Sequence, residues 1–451
     1  MGTIERSTTT ALFALFGITA MAQCWVAAEA GSYDSFILAS DSSVRVSGEN
    51  DFGQLGNGTA GTVYDFASAA PLDHVKAISA GLGHTLIIRS NGTLWSFGAN
   101  SYGQLGIGSN DNANIPVQVG SGTWQRISAS KYAHSLGIMS DGTLWSWGSN
   151  DYGELGIGSN EPGLEPVQVG TANDWVAIST GNGHSMGIRQ NGTLWAWGFN
   201  GSGQLGIGSL ADQAVPVQVG GANDWTAVEC GAYFTLAIKQ DGTLWSWGSN
   251  ASGELGIGSN TDVGGPTQVG SASNWSRLSA HSHVLAVQAD GSLWAWGQNI
   301  YRQLGDGTST DRNAPVPITS GMGWLSFSAG VEHSLGVKQD GTLWVWGNSG
   351  TGQIGNAGMV YVPTEYPVDC GALGMLDAPR PSGFRLIVRQ EGQGVSVFWN
   401  GPPAELEIGN ALGAVLFRSK LVGGVAMEVS GLVPGAYIAT VAGASQRFAV
   451  H

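Results

Sequence analysis

Charge is scarce in this chain. Asp, Glu, Lys and Arg make up 11% of 451 residues, with 18 basic residues against 33 acidic and a formal net charge of −15. Grip on a phosphate backbone takes clustered Lys and Arg, and no such cluster occurs, which excludes nucleic acid as a partner. An acidic surface of this kind chiefly confers solubility. Cysteine is rarer still, with Cys24, Cys230 and Cys370 only. The apolar run Ala11 to Ala22 is too short to span a bilayer, which takes about 20 residues. The motifs of chemistry are missing as well. There is no G-x-S-x-G elbow in a hydrolase context, no H-E-x-x-H and no Walker loop. No catalytic residue, metal ligand or cofactor is therefore nominated, and the chain is not read as an enzyme.

Glycine and tryptophan are abundant, at 72 and 18 residues. Many tight turns with many aromatics and little charge suit an all-β protein rather than a disordered one. The stretch DGTLWSWGSNDYGELGIGSN at Asp141–Asn160 returns almost unchanged at Asp241–Asn260. The Gly after its second aromatic recurs at Gly48, Gly98, Gly148, Gly198, Gly248, Gly297 and Gly347, in steps of 50 residues with a single 49. Within one copy, WVAIST, HSMGIRQ and TLWAWG alternate with Gly-rich turns, and Asn191-Gly192 marks a hairpin. VPVQVG from Val215 is a fourth strand, and Pro216 places it at an edge. Four short strands repeated seven times predict a seven-bladed β-propeller. Trp195 and Trp197 share one face of their strand and are read as core between stacked blades. In the first copy Val44 and Val46 are taken to replace the Trp pair, and Ile354 replaces Leu in the seventh.

The copies, with DGTLWSWGSNDYGELGIG preceded by AISTGNGHSMGI, resemble the regulator of chromosome condensation (RCC1) repeat. The resemblance covers Gly31 to Ala372 and implies a seven-bladed ring that acts through protein contacts. A secreted bacterial RCC1-like type is the nearest analogy. The segment Pro367–Ala372 mimics Ala227–Ala232, so first and last segments are expected to complete one blade. Cys230 and Cys370 then hold equivalent positions nearly three blades apart. A disulfide needs Cα atoms within about 7 Å, so free buried thiols are expected.

Outside the ring, residues 1–30 read as a signal peptide with cleavage near Ala30, giving an extracellular or cell-surface protein with no membrane span in the mature chain. Residues 373–383 read as a linker. Residues 384–451 alternate as a small C-terminal β-sandwich. The stretch LEIGNALGAVLFRSKL with VSGLVPGAYIATVAG and FAVH resembles the sorting domain of type IX secretion, which implies an export address.

Histidines recur at one slot, His84, His134, His184, His283 and His333, with Asp34 and Phe234 in the other two copies. Successive blades diverge, whereas metal ligands converge at roughly 2 Å, so the slot is read as structural and satisfied by blade backbone. The acids at Asp141, Asp241, Asp290 and Asp340 are read as turn chemistry. Function must lie in the loops that vary. One set precedes the His slot and offers Tyr33, Lys131, Tyr132, Tyr233 and Glu332. The other follows the WG pair and offers Phe52, Tyr102, Tyr152, Phe199, Tyr301 and Arg302. Aromatics with an occasional charge mark contact hot spots, although they also brace Gly turns. The leading expectation is a monomeric binding propeller for a protein partner of unknown identity. A lectin-like carbohydrate-binding propeller is the alternative and needs exposed Trp. A polysaccharide-degrading enzyme on this scaffold is a third, weaker reading.

Overall fold

A computed structural model describes residues 25–367, apart from 70, 319, 320, 322 and 357, and the strands between 386 and 450. Seven four-stranded antiparallel sheets follow one another along residues 25–366, which makes the all-β seven-bladed propeller. In blade 4 the order from the channel outward is Trp175–Thr180, His184–Arg189, Leu194–Gly198 and Gln213–Gln218. Every blade repeats this meander. The outer strand carries a Pro in blades 2 to 7, as its edge position allows.

The first blade corrects two expectations. Its inner strand is Trp25–Ala30, upstream of the expected start at Gly31, and it pairs with Asp34–Ala39. Trp25 opens that strand just as Trp175 and Trp225 open theirs. Blade 1 is thus built from contiguous chain, with four strands between Trp25 and Ser68, and residues 368–372 of the expected closing segment lie outside the described residues. A cut after Ala30 would strip the channel-lining strand from it. Ring closure is by packing instead. Ala30 N–H donates to Ser328 Oγ at 3.0 Å, and Val331 N–H donates to the Ser32 carbonyl at 3.2 Å. The strand register also places Arg45 and Ser47 where other copies hold the Trp pair, because Ser47 faces Ser35 as Trp197 faces Ser185. Val44 and Val46 lie on the opposite face and are fully buried.

The core lies between blades, as the Trp spacing implied. Trp197 packs on Leu136, Ile138 and Leu144 of blade 3, and its indole N–H donates to the Glu154 carbonyl at 2.9 Å. The same bond recurs from Trp147, Trp247, Trp296 and Trp346 to the preceding blade's Gly-rich loop. Trp195 is only half-buried. The hairpin acids do turn work. Asp141 Oδ1 accepts from Thr143 N–H and Oγ1–H at 3.0 and 2.6 Å, and the Trp145 indole donates to Thr143 Oγ1 at 2.9 Å.

The chain divides after Gly371. In the second unit, Leu386–Glu391, Gly394–Trp399 and Val425–Val429 form one antiparallel sheet. Val415–Leu421, Ala404–Asn410, Gly435–Val441 and Ala444–Val450 form another. The expected signal segment up to residue 24, the linker at 373–383 and Cys370 lie outside the described residues. Among the described residues, no helix is long and apolar enough to cross a membrane.

Candidate functional site

Alternating strand direction puts both variable loop sets at the same end of each sheet. The inner-to-second and third-to-outer connections therefore share one face of the ring, and all eleven candidate loop residues belong to that face or its edges. Five of them form a run of aromatics across blades 2 to 5. Tyr102 and Tyr132 lie 5.9 Å apart by ring centroids, Tyr152 and Phe199 4.8 Å, and Phe199 and Tyr233 6.2 Å. Tyr132 O–H donates to Tyr102 Oη at 3.4 Å, and this bond with burial pushes the Tyr132 phenol up to about 12. Tyr102, Tyr132, Tyr152 and Tyr233 remain about 40% exposed, and Phe52 is similarly open. Tyr152 rests over Gly183 and Phe52 over Gly83, so each also braces the next blade's loop. The bracing role is therefore met, and the exposed faces are what a contact role would need.

Across the ring the face changes character. Tyr33 is half-buried, and its phenol is raised by burial first and then by the charges of Glu332 and Glu49. Glu332 Oε2 accepts from Asn348 Nδ2 at 2.6 Å. Tyr301 belongs to this group, since it too acts on Tyr33. Arg302 departs from the expectation of a free contact residue. Its guanidinium stacks on Tyr361 at 3.9 Å and reaches Met359 Sδ at 2.7 Å, bracing blade 7. It does so with φ at +66° where sister loops carry Gly.

Lys131 turns away from the aromatics to line the central channel, a cavity of about 240 Å³ bounded by all seven inner strands. One inner-strand position rings this channel, occupied by Ser79, Ser128, Ser179, Ser279 and Ser328, and by Glu29 and Glu229. The hydroxyls staple neighbouring blades. Ser79 accepts from Ala129 N–H, Ser179 from Cys230 N–H and Ser279 from Ala329 N–H, each at 2.9 Å. The two glutamates do the same work, accepting from Ala80 N–H and Ala280 N–H. Burial, then repulsion from Glu229, lifts Glu29 to about 7, with Lys131 opposing. Burial also raises Glu229. Sequence reading passed over this ring, although superposing the copies shows Glu where five sisters have Ser.

The histidine slot is structural, and beside the backbone of the next blade, which acts on His84, His184 and His333, each imidazole meets a hydroxyl of that blade. His84, His134, His184, His283 and His333 present Nε2 to Ser135, Ser185, Thr235, Ser334 and Ser35 at 2.7 to 3.3 Å. Each hydroxyl spends its proton on a loop carbonyl, as Ser135 does on Gln104 at 2.8 Å. The imidazole must then donate, which assigns the neutral Nε2–H tautomer. Burial holds His84 down to about 4 and the other four to about 3. Gly181 makes room, because a Cβ there would lie 2.1 Å from the His184 ring. Where Phe234 fills the slot, the facing residue of blade 6 is Val284, an apolar pair for a polar one. Cys230 is buried and unpaired, and burial, then Glu229, pushes its thiol up to about 12. No group of three or more His, Cys, Asp or Glu suited to a metal ion occurs among the described residues.

The sequence model of the regulator of chromosome condensation (RCC1) repeat matches residues 91–134, 141–188, 191–238, 241–287 and 290–337, more than half of the chain. A second model of the same repeat matches 75–104, 125–154, 175–204, 225–254 and 324–353. No curated protein sequence matches the chain. Among solved structures, human WBSCR16 is similar at 23% identity with a TM-score of 0.63, over 70% of this chain and 86% of that one. Prp20p from Saccharomyces cerevisiae is similar at 20% identity with a TM-score of 0.65, over 78% and 90%. The yeast RCC1 (Prp20) in complex with Kap60 gives 20% and 0.66, over 79% and 88%.

Proposed function

The chain belongs to the RCC1-repeat family, and from that premise we propose that it is a non-catalytic propeller that grips a protein partner on its loop face. The observation that carries this reading is the aromatic run from Tyr102 through Tyr132, Tyr152 and Phe199 to Tyr233. Rigid half-exposed aromatics on a fixed scaffold lose little side-chain entropy on binding and dominate interface energetics. Protein binding is also what the similar yeast propellers are described as doing, toward Gsp1p, histones and Kap60. At 20% identity that likeness carries the fold and not those partners.

The carbohydrate reading asked for exposed Trp, and every Trp of the ring, Trp25 to Trp346, is buried or half-buried. The test is a pull-down with the full chain from cell-surface extract and culture supernatant, beside a glycan array. A discrete protein captured by the natural chain and lost with Tyr132→Ala plus Tyr233→Ala supports the reading. A truncated hot spot costs about 2 kcal/mol, roughly thirtyfold in affinity. A glycan hit without a protein partner overturns it.

The same reading places the protein outside the cell or at its surface, supported by the apolar run Ala11–Ala22 and the sorting-like tail. Any processing cut then has to fall before Trp25 for blade 1 to keep its inner strand. Fractionation with N-terminal sequencing of the released chain decides this. A mature terminus beyond Trp25, Gly31 included, refutes the position of the cut, and retention in the cytoplasm refutes the export.

A further inference from the structure

Four blades fill the same interblade slot with a cation. The last residue of the second strand lies over the first Trp of the third strand: Arg89 at 4.1 Å from the Trp95 centroid, Arg189 at 5.7 Å from Trp195, Lys239 at 5.1 Å from Trp245 and Lys338 at 3.6 Å from Trp344. Three of these cations also pair with a carboxylate, Asp73 at 2.8 Å, Asp174 at 2.7 Å and Asp224 at 3.2 Å. Blade 6 keeps a polar version, with Asn274 Nδ2 donating to Gln288 Oε1 at 3.2 Å.

Blade 3 alone among these six has lost the polar filling. Met139 stands at the cation's position, and Thr123 precedes Trp124 where Asp174 and Asp224 precede Trp175 and Trp225. A groove of about 450 Å³ opens at this place, between blades 2 and 3, lined by Trp124, Met139, Trp145, Gln118 and Glu165. Glu165 is the second departure. It is exposed on the outer strand where blades 2 and 4 to 7 carry Ile115, Val215, Gly265, Ala314 and Val362, and where only blade 1 carries another acid, Asp65. None of the four ion pairs found among the described residues includes it.

We propose that this groove binds the guanidinium or ammonium group of an external ligand, in place of the cation that the sister blades carry internally. An indole face beside a carboxylate is the environment that favours such a group, because the ring quadrupole and the negative charge both attract it. Met139 is the unbranched, polarizable residue that yields most readily to an incoming group. A planar guanidinium also stacks on an indole, as Arg89 does on Trp95. The site lies between blades 2 and 3, involves none of the loop-face aromatics, and stands independently of the loop-face reading.

The test titrates the full chain with n-propylguanidinium, with neutral n-propylurea and with the peptide acetyl-Gly-Arg-Gly-amide, followed by the Trp145 indole resonance. The guanidinium compound should shift that resonance and propylurea should not. Met139→Arg, which fills the slot as Arg189 does, should abolish the shift. Glu165→Gln, on an exposed strand position that cannot unfold the ring, should weaken binding at least fivefold. Peptide binding at least tenfold tighter than propylguanidinium identifies a basic side chain of a partner protein as the source. Equal binding identifies a free small cation, and either result supports the site. Binding of propylurea as strong as that of propylguanidinium, no shift with any probe, or unchanged binding in both variants overturns it.

Discussion

Asp34→His should stabilise the ring, and by more at high pH than at low. Asp34 occupies the slot that holds His in five sister blades, is 2% exposed, and leaves Oδ1 without a hydrogen-bond partner. Burial, then the charge of Glu49, raises its carboxyl well above the usual range. A carboxyl whose folded pKa is raised contributes stability below its unfolded value of about 4 and loses it as pH climbs through the folded value. At pH 8 the natural chain therefore carries a buried group whose desolvation is unmatched, a cost of about 1–3 kcal/mol.

Histidine removes that cost and finds its partner in place. Thr85 faces slot 34 as Ser135 faces His84, and Thr85 already donates to the Gln54 carbonyl at 2.9 Å. Gly31 supplies the space that Gly181 gives His184. One neutral hydrogen bond adds about 1 kcal/mol, for a total of about 2–4 kcal/mol at pH 8. With roughly 340 ring residues and about 2.1 cal/mol/K of unfolding entropy each, the melting temperature should rise by about 3–6 °C. Guanidinium unfolding of both chains at pH 8 and pH 5, followed by Trp fluorescence, measures it. At pH 5 the gain should shrink, since the raised carboxyl of the natural chain is then less ionised than at pH 8 and burial opposes protonation of the new imidazole. A variant no more stable at pH 8, or an equal gain at both pH values, refutes the reasoning.

The five slot histidines should set the acid limit of the fold. Each has a folded pKa depressed to about 3 or 4 by burial, so stability present above the ordinary value of about 6.5 is lost as pH falls toward those values. Each contributes a slope of about 1.4 kcal/mol per pH unit, and a flat stability profile between pH 6 and 4 would contradict the assignment. Cys230 should resist a thiol reagent in the native protein and react once guanidinium is added, since its thiol is buried and held near 12. Rapid labelling without denaturant would show the blade 5 interface to be open. Acrylamide should quench the tryptophan emission of the isolated ring weakly, because the ring indoles from Trp25 to Trp346 are buried or half-buried. Strong quenching would restore the stacking-platform reading.

The sequence by itself determined the ring. A period near 50 residues with four strand signals leaves each copy unable to bury its Trp stripe alone, so copies must stack, and seven of them close. Turn acids such as Asp141 were equally legible, because an Asx turn is satisfied within three residues. What lies between copies was not legible in the same way. Residues 29 and 229, or 84 and 135, meet only because closure brings distant or successive inner strands to one channel and one interface. The inner strand at Trp25–Ala30 was hidden by its likeness to a cleavage site, A-E-A, although its Trp repeats the step of its sisters. Tertiary structure decided that Arg302 braces blade 7 while Tyr132 stays open, and that Lys131 turns into the channel. Those outcomes depend on which neighbour each side chain meets across an interface, and local pattern carries no information about that distance.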